Sequence, residues 1–479
     1  MLWFALYLPN LPLQVFERGA PEPAASAAPL AVAESRRVAA ANPAAQRLGV
    51  HAGLGVASAL ALAPDLIVRR REPRAEDEAL REIAAWLLQF APSVSLDPPA
   101  CVLIEASASL RLFGGPESLM RRLERGCRDL GFLAEISGAP TPLAARWLAR
   151  GSRRSLILEL ERLAEALGGL PLCLTDADAQ TLELLFAIGA VTLEDCLALP
   201  RAGLARRSAA PLLAALDRAL GRQPDPRPWF PPPLRHAARI ELPLPAAGAE
   251  TLLFAARRLF VGLAAWLAAR QAGIERYTLH LEHDCREPTE LTVTLGTASR
   301  DEARFALLAR EHLARLGLEC PVTAVALEAA EPAPLAGAAA ELFGDARREA
   351  EAPPLLIERL RARLGAEAVT GLRSLPDHRP ERAWCAAEPG SIQPAGEAAG
   401  PRPLWLLREP RPLETRDDAP CRQGPLKLLA GPERIESGWW DEAEACRDYF
   451  VAAGPGEELL WVFREIAPPH RWYLHGLFA

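Results

Sequence analysis

VAAANPAAQRLGVHAGLGVASALALAPDL occupies residues 38–66. It predicts two short helices, over 43–48 and 54–62. Gly49 ends the first and Pro64 follows the second, the usual punctuation of helix ends. Leu66–Val68 then reads as a short strand. Upstream, residues 1–8 read as a buried strand. The apolar start lacks a basic segment and Pro9 and Pro12 interrupt it, so it is not read as a signal peptide. Downstream, Leu80, Ile83, Ala84, Leu87 and Leu88 fall at helical spacing within Glu76–Phe90. Ser93–Leu96 and Val102–Glu105 form a hairpin around Asp97-Pro98-Pro99, followed by a helix at 116–129 and a strand at 132–136. The expectation is an α/β domain with a small helical piece inserted near 20–72.

Residues 168–222 read as Leu-rich helices, broken at Ala187-Ile188-Gly189-Ala190. Pro224, Pro226, Pro228 and Pro231–Pro233 make a stiff linker. Beyond it, Tyr277, Leu279 and Leu281 alternate with Thr278, His280 and Glu282, the period of a strand. With Arg239–Leu244, Glu250–Gln271, Glu290–Leu295, Asp301–Leu316 and Val322–Glu328 this gives β-α-β-β-α-β, a compact two-layer module. After residue 330 the texture turns Pro/Ala-rich, with a helix at 355–364 and linker-like sequence at 386–400. Six of the eleven tryptophans lie beyond residue 380, so 403–479 reads as a small β-rich module with an aromatic core. The whole is an α+β multidomain chain.

Its 479 residues allow about three or four domains. The net charge of −7 argues against a strongly basic nucleic-acid binder but leaves room for a local basic face. No apolar run reaches the roughly 18 residues of a membrane span. Nine scattered cysteines without a CxxC pair fit a reducing, cytoplasmic setting and no zinc site. Strand alternation sends His280 and His283 to opposite faces, so HLEHDC is not read as a metal site.

Residues 38–66 resemble the fingers signature of the Y-family DNA polymerases, holding Gly49-Val50, Gly53-Leu54, Ala59 and Pro64-Asp65-Leu66 of its pattern. The resemblance covers roughly 1–330. It implies a right-hand architecture: palm 1–165 with fingers inserted at about 10–72, thumb 166–232 and a βαββαβ little finger, 233–330. Such a polymerase holds two Mg²⁺ ions on carboxylates. Aligned on Val15, the first metal-binding Asp falls on Tyr7, the second on Pro9 and the sugar gate on Pro12. Aligned on Leu112-Phe113-Gly114, the catalytic pair falls on Ala100 and Cys101. The triphosphate-binding Tyr and Arg fall on Pro43 and Gln46. The resemblance therefore implies a scaffold without its metal-handling residues, no cofactor and no catalysis. The alternative is an active divergent translesion polymerase that uses Asp97 or Glu105 as substitute ligands.

In the thumb, Asp176 and Asp178 stand where the family offers backbone N–H groups to phosphate. Arg235, Arg239, Arg257, Arg258 and Arg276 of the little finger are then the candidate DNA contacts. The tail blocks GPERIESGWWDE (431–442), Arg447-Asp448-Tyr449-Phe450, Leu460–Arg464 and Arg471–Phe478, with DHRPE (377–381), resemble the ImuB subfamily. That resemblance implies a subunit of a DNA-damage-induced (SOS) mutagenesis complex. Its partners would be primer-template or damaged DNA, the sliding clamp, an error-prone C-family polymerase and a RecA-like ImuA protein, in the nucleoid-associated cytoplasm. Leu342 and Phe343, in the linker 331–402, are the candidate clamp anchors. Trp439, Trp440, Tyr449 and Trp472, in the module 403–479, are the candidate partner anchors.

Overall fold

The computed structural model describes residues 1–19, 28–151, 154–206, 210–335, 353–389, 402–441 and 444–478. They belong to two compact units, Met1–Glu351 and Ala352–Ala479.

In the first unit, β1 (Trp3–Tyr7) and α1 (Leu11–Glu17) lead into an insert of β2 (Leu30–Glu34), β3 (Arg37–Ala41), α2 (Pro43–Arg47), α3 (Val56–Leu62) and β4 (Ile67–Arg70). The chain returns through α4 (Pro73–Leu87), β5 (Ser93–Asp97), β6 (Cys101–Glu105), α5 (Pro116–Asp129), β7 (Glu135–Ala139) and α6 (Pro142–Arg150). The main sheet has the order β5-β6-β1-β7. Strand β1 is apolar on both faces because both are covered. Phe4 and Leu6 pack with Val102 and Ile104 against α4 and α5, while Trp3, Ala5 and Leu103 meet α6 and the helices that follow.

The insert corrects one expectation. It is a three-stranded sheet, β3-β2-β4, carrying two short helices, not a helical piece. Its strands LAVAE and RVAAA show no polar alternation, so only pairing across the turn reveals them. Gly49, read as ending a helix, follows α2 with φ of +88°, and Gly53 in the turn before α3 has +86°, values that favour glycine. Asn42 caps α2 by accepting from the Ala45 N–H at 2.9 Å.

Five short helices follow: α7 (Leu163–Gly168), α8 (Ala179–Ala187), α9 (Leu193–Ala198), α10 (Arg201–Arg206) and α11 (Ala210–Ala219). The Pro-rich passage then runs back over the main sheet. Trp229 stacks on Trp3 at 5.8 Å, and the Phe230 N–H donates to the Val94 carbonyl at 2.7 Å.

The βαββαβ module comprises β8 (His236–Ala246), α12 (Ala249–Ala269), β9 (Ala272–Glu282), β10 (Thr289–Ser299), α13 (Glu302–Arg315) and β11 (Val322–Ala329), with β12 (Pro332–Pro334) added beside β9. Tyr277, Leu279 and Leu281 are buried toward the helices, as their alternation requires. Helix α12 is long and apolar enough to cross a bilayer, but Leu252, Leu259, Phe260, Leu263 and Trp266 are buried within the unit. The module is seated on α1 by Arg18, which donates to Glu82 and to the Arg239 carbonyl, each at 2.7 Å. Cys285 and Cys320 are joined as a disulfide, which the expectation of a reducing setting did not anticipate. Their separation of 35 residues gave no local signal.

The second unit holds α14 (Pro353–Leu364), the hairpin β13 (Gly371–Ser374) and β14 (Trp384–Ala387), and β15 (Trp405–Pro412). After these come β16 (Glu414–Arg416), β17 (Ala419–Cys421), β18 (Lys427–Ser437), β19 (Ala445–Ala453), β20 (Leu459–Glu465) and β21 (Trp472–Leu477). Its five-stranded sheet has the order β15-β21-β20-β19-β18. Part of the stretch read as linker is thus folded structure.

Candidate functional site

The carboxyl end of β1 decides what the main sheet can do. Tyr7 pairs with Cys101, and Cys101 with Asp97, so the three stand in one row across β1, β6 and β5. Ala100 lies in the same turn and accepts the Leu8 N–H at 2.8 Å. Glu135 of β7, paired with Tyr7, extends the row on its other side. Both oxygens of Asp97 are taken. Arg146 of α6 donates at 2.8 Å and Arg227 of the Pro-rich passage at 3.0 Å. Arg227 also holds Asp225 at 2.8 Å. Arg146 is paired with Asp176, and so is Arg150, at 2.9 Å. Three carboxylates face three guanidiniums, and the cluster is electrically neutral. Its centre is nearly dry, since Asp97, Arg146 and Arg227 expose 12%, 11% and 14% of their side chains.

The neighbours offer a metal no better ligand. Burial, and then the Asp97 charge, push the Cys101 thiol far above its ordinary range, so the thiolate that binds metal is not formed. Glu105 sits four residues along β6, about 13 Å away at strand rise, where it accepts from the Ser107 N–H at 3.1 Å. Asp97 and Glu105 therefore do not converge. Gln46 folds back to donate to the Ala41 carbonyl at 2.7 Å, and Pro43 opens α2. Among the described residues no group of three or more His, Cys, Asp or Glu could hold a metal ion.

The acidic pair of the helical segment has structural work. Asp176 belongs to the cluster above. Asp178 caps α8, and the Thr181 N–H holds its carboxyl below the usual range.

The five candidate arginines separate. Arg239 is gripped by Glu282 at 2.8–3.1 Å. It faces the open side of the module's sheet, where Glu241, Glu282, Glu290 and Glu328 also stand. His280 lies there between Glu290 and Glu328, at 3.7 and 3.8 Å. Arg235 and Arg239 line a cleft shared with six glutamates and two other arginines. Arg276 is exposed beside Glu275 on β9. Around Arg239 the sheet face therefore carries more carboxylates than guanidiniums. Arg257 and Arg258 lie on α12, on the opposite, helical side. His283, also expected away from His280, bridges the Pro321 carbonyl and Thr289 at 3.0 and 2.9 Å.

In the second unit the tail blocks converge. Arg379 of DHRPE, almost fully buried, is gripped by Asp377 and by Asp441 of GPERIESGWWDE. Glu381 accepts from Arg447 at 2.9 Å. Arg447 in turn meets the Tyr449 hydroxyl, which lies 2.8 Å from Nδ1 of the fully buried His475. Tyr449 and Trp472 are 1% and 3% exposed and form core, so they are not partner anchors. Trp439 and Trp440 are 77% and 61% exposed and pack edge to face at 5.4 Å. Trp440 also covers Arg379. Leu342 and Phe343 lie outside the described residues.

Comparison with known proteins follows the same outline. Residues 13–150 match the impB/mucB/samB family. The chain is 29% identical over 471 residues to Protein ImuB of Caulobacter vibrioides NA1000, covering 90% of this chain and 100% of that one. Among solved structures, the Dbh ternary complex is similar at a TM-score of 0.41 with 18% identity, covering 68% of this chain and 98% of that one. DinB from Sulfolobus solfataricus is similar at 0.40 with 17% identity, covering 70% and 100%. The chain is thus similar to the impB/mucB/samB family over residues 13–150 and to Protein ImuB over 90% of its length.

Proposed function

We propose that this chain is a non-catalytic, Y-family-polymerase-like subunit of a DNA-damage-induced translesion synthesis complex. It links DNA and the sliding clamp to an error-prone C-family polymerase and a RecA-like ImuA protein, at the nucleoid in the cytoplasm. One observation carries this reading. Of the two carboxylates in the row Asp97–Cys101–Tyr7–Glu135, Asp97 is neutralised by two arginines, one of them from the passage that closes over the sheet, and Glu135 stands three strands away, about 14 Å at strand spacing. A two-metal phosphoryl transfer needs carboxylates in excess of local positive charge, and this cluster has none to spare.

The exposed Trp439–Trp440 pair supports partner docking by the second unit, since rigid aromatics are favoured interface anchors. The deciding experiment is Mg²⁺-dependent primer extension with the full chain, beside retention of clamp, C-family polymerase and ImuA on primed DNA. The expected result is retention without incorporation. Incorporation that disappears in Asp97→Asn or Glu105→Gln establishes the divergent polymerase instead.

A further inference from the structure

The acidic sheet face leaves open where this module would meet a phosphate chain. Its helical side answers differently. Between α5, α12 and α13 lies a crevice of about 730 Å³. Four arginines line it, Arg128, Arg257, Arg258 and Arg310, against two carboxylates, Asp129 and Glu302. Phe254 lies in its apolar floor, with the Arg258 guanidinium held over the ring at 4.5 Å. That stacking orders one cation before any ligand arrives. Arg310 is paired with Glu250 at 3.3 Å, but Glu250 is 76% exposed, and such a surface pair is worth little and is readily exchanged. Burial and then Asp129 raise the carboxyl of Glu302 above its ordinary range. Glu302 is thus more readily neutral than a water-exposed acid, which lessens the negative charge set against the four arginines.

We propose that this crevice binds the phosphodiester backbone of a nucleic-acid strand. The proposal rests on the reading that the chain works on DNA, and it moves the contact from the sheet face to the helical side. Counter-ion release from the strand supplies the affinity, so binding is steeply salt-dependent and carries no sequence preference. The groove is shared by a helix of the main α/β domain and two of the βαββαβ module. Occupancy therefore reports on the seating of one against the other.

The test is fluorescence anisotropy of a labelled single strand and a primed duplex with the full chain, from 50 to 200 mM salt. Arg257→Ala/Arg310→Ala, two exposed side chains, removes two phosphate contacts. The expected result is a single-strand log–log salt slope shallower by about 1.4, with binding about 10- to 30-fold weaker near 0.1 M salt. Glu302→Gln is expected to tighten binding, a gain that misfolding cannot imitate. Loss of binding in Arg239→Ala/Arg276→Ala with the crevice variants unchanged overturns the assignment and returns the contact to the sheet. Displacement of the strand by a nucleoside triphosphate at constant ionic strength also overturns it, in favour of a free-nucleotide phosphate site. Failure of the unaltered chain to bind any DNA refutes the broader reading instead.

Discussion

Asp97→Asn separates the two readings of the main sheet. The substitution keeps size and shape and removes one charge. Of the two charge-assisted hydrogen bonds, from Arg146 at 2.8 Å and Arg227 at 3.0 Å, it keeps one in weakened form and loses the other, because one accepting oxygen becomes an NH2 donor. It also leaves three guanidiniums facing two carboxylates in a cluster whose centre is about nine-tenths buried. Charge-assisted bonds are worth roughly 1.5–3 kcal/mol each and neutral ones about 1. The expected destabilisation of the first unit is therefore about 2–3 kcal/mol. The assay is a urea melt of the full chain in which unfolding of the first unit is followed by hydrogen exchange at β1, β5 and β6. The melt is repeated with Mg²⁺. A ligand carboxylate would give the opposite pattern. Mg²⁺ at a hundred times its dissociation constant would stabilise the unaltered chain by about 2.7 kcal/mol, and Asp97→Asn would erase that gain. A Mg²⁺-dependent shift lost in the variant, or a variant within about 0.5 kcal/mol of the unaltered chain, refutes the ion-pair account.

Gly19→Ala drives a methyl into the Glu241 carbonyl where β8 is seated on α1. It should cost about 1–3 kcal/mol in the same melt, the range for overpacking. Burial lowers His475 to about 4 from its ordinary 6.5. The unfolded chain then binds the extra proton, so stability of the second unit is complete above pH 6.5 and falls as pH drops from 6.5 toward 4, by up to about 3 kcal/mol. His475→Gln should flatten that slope in melts run across the window. Trp472→Ala should cost about 3–5 kcal/mol as a core truncation. Trp439→Ala/Trp440→Ala should leave the melt within about 1 kcal/mol and instead release the C-family polymerase from a pull-down; retained polymerase would count against the tryptophan pair as anchor.

Much of the fold was legible because it is written in short periods. The two-residue alternation of Tyr277, Leu279 and Leu281 fixed which side of β9 is buried. The 3.6-residue spacing of Leu80, Ile83, Ala84 and Leu87 did the same for α4, and Gly49 marked a turn whose positive φ the structure has. Strands β2 and β3 escaped because alanine-rich runs carry no such contrast. The tail aromatics show the limit from the other side. A tryptophan or tyrosine suits a core and an interface equally by composition, and Trp472 and Tyr449 went inside while Trp439 and Trp440 stayed out.

By itself, then, the sequence determined the order of the βαββαβ module, the turn at Gly49 and the absence of paired acids at positions 7, 100 and 101, because those are properties of adjacent residues. The tertiary structure decided the charges. Asp97 meets Arg146 and Arg227 from 49 and 130 residues away. A signal was present in Arg227, fixed between Pro226 and Pro228, but its partner was not. Arg239 was a lone cation in sequence and became one arm of an ion pair with Glu282. Arg128 and Arg310 came beside Arg257 only through the packing of three helices. Local pattern specifies which face a side chain takes. Whether a charge there is free, paired or surrounded by its own sign depends on distances that only the folded chain sets.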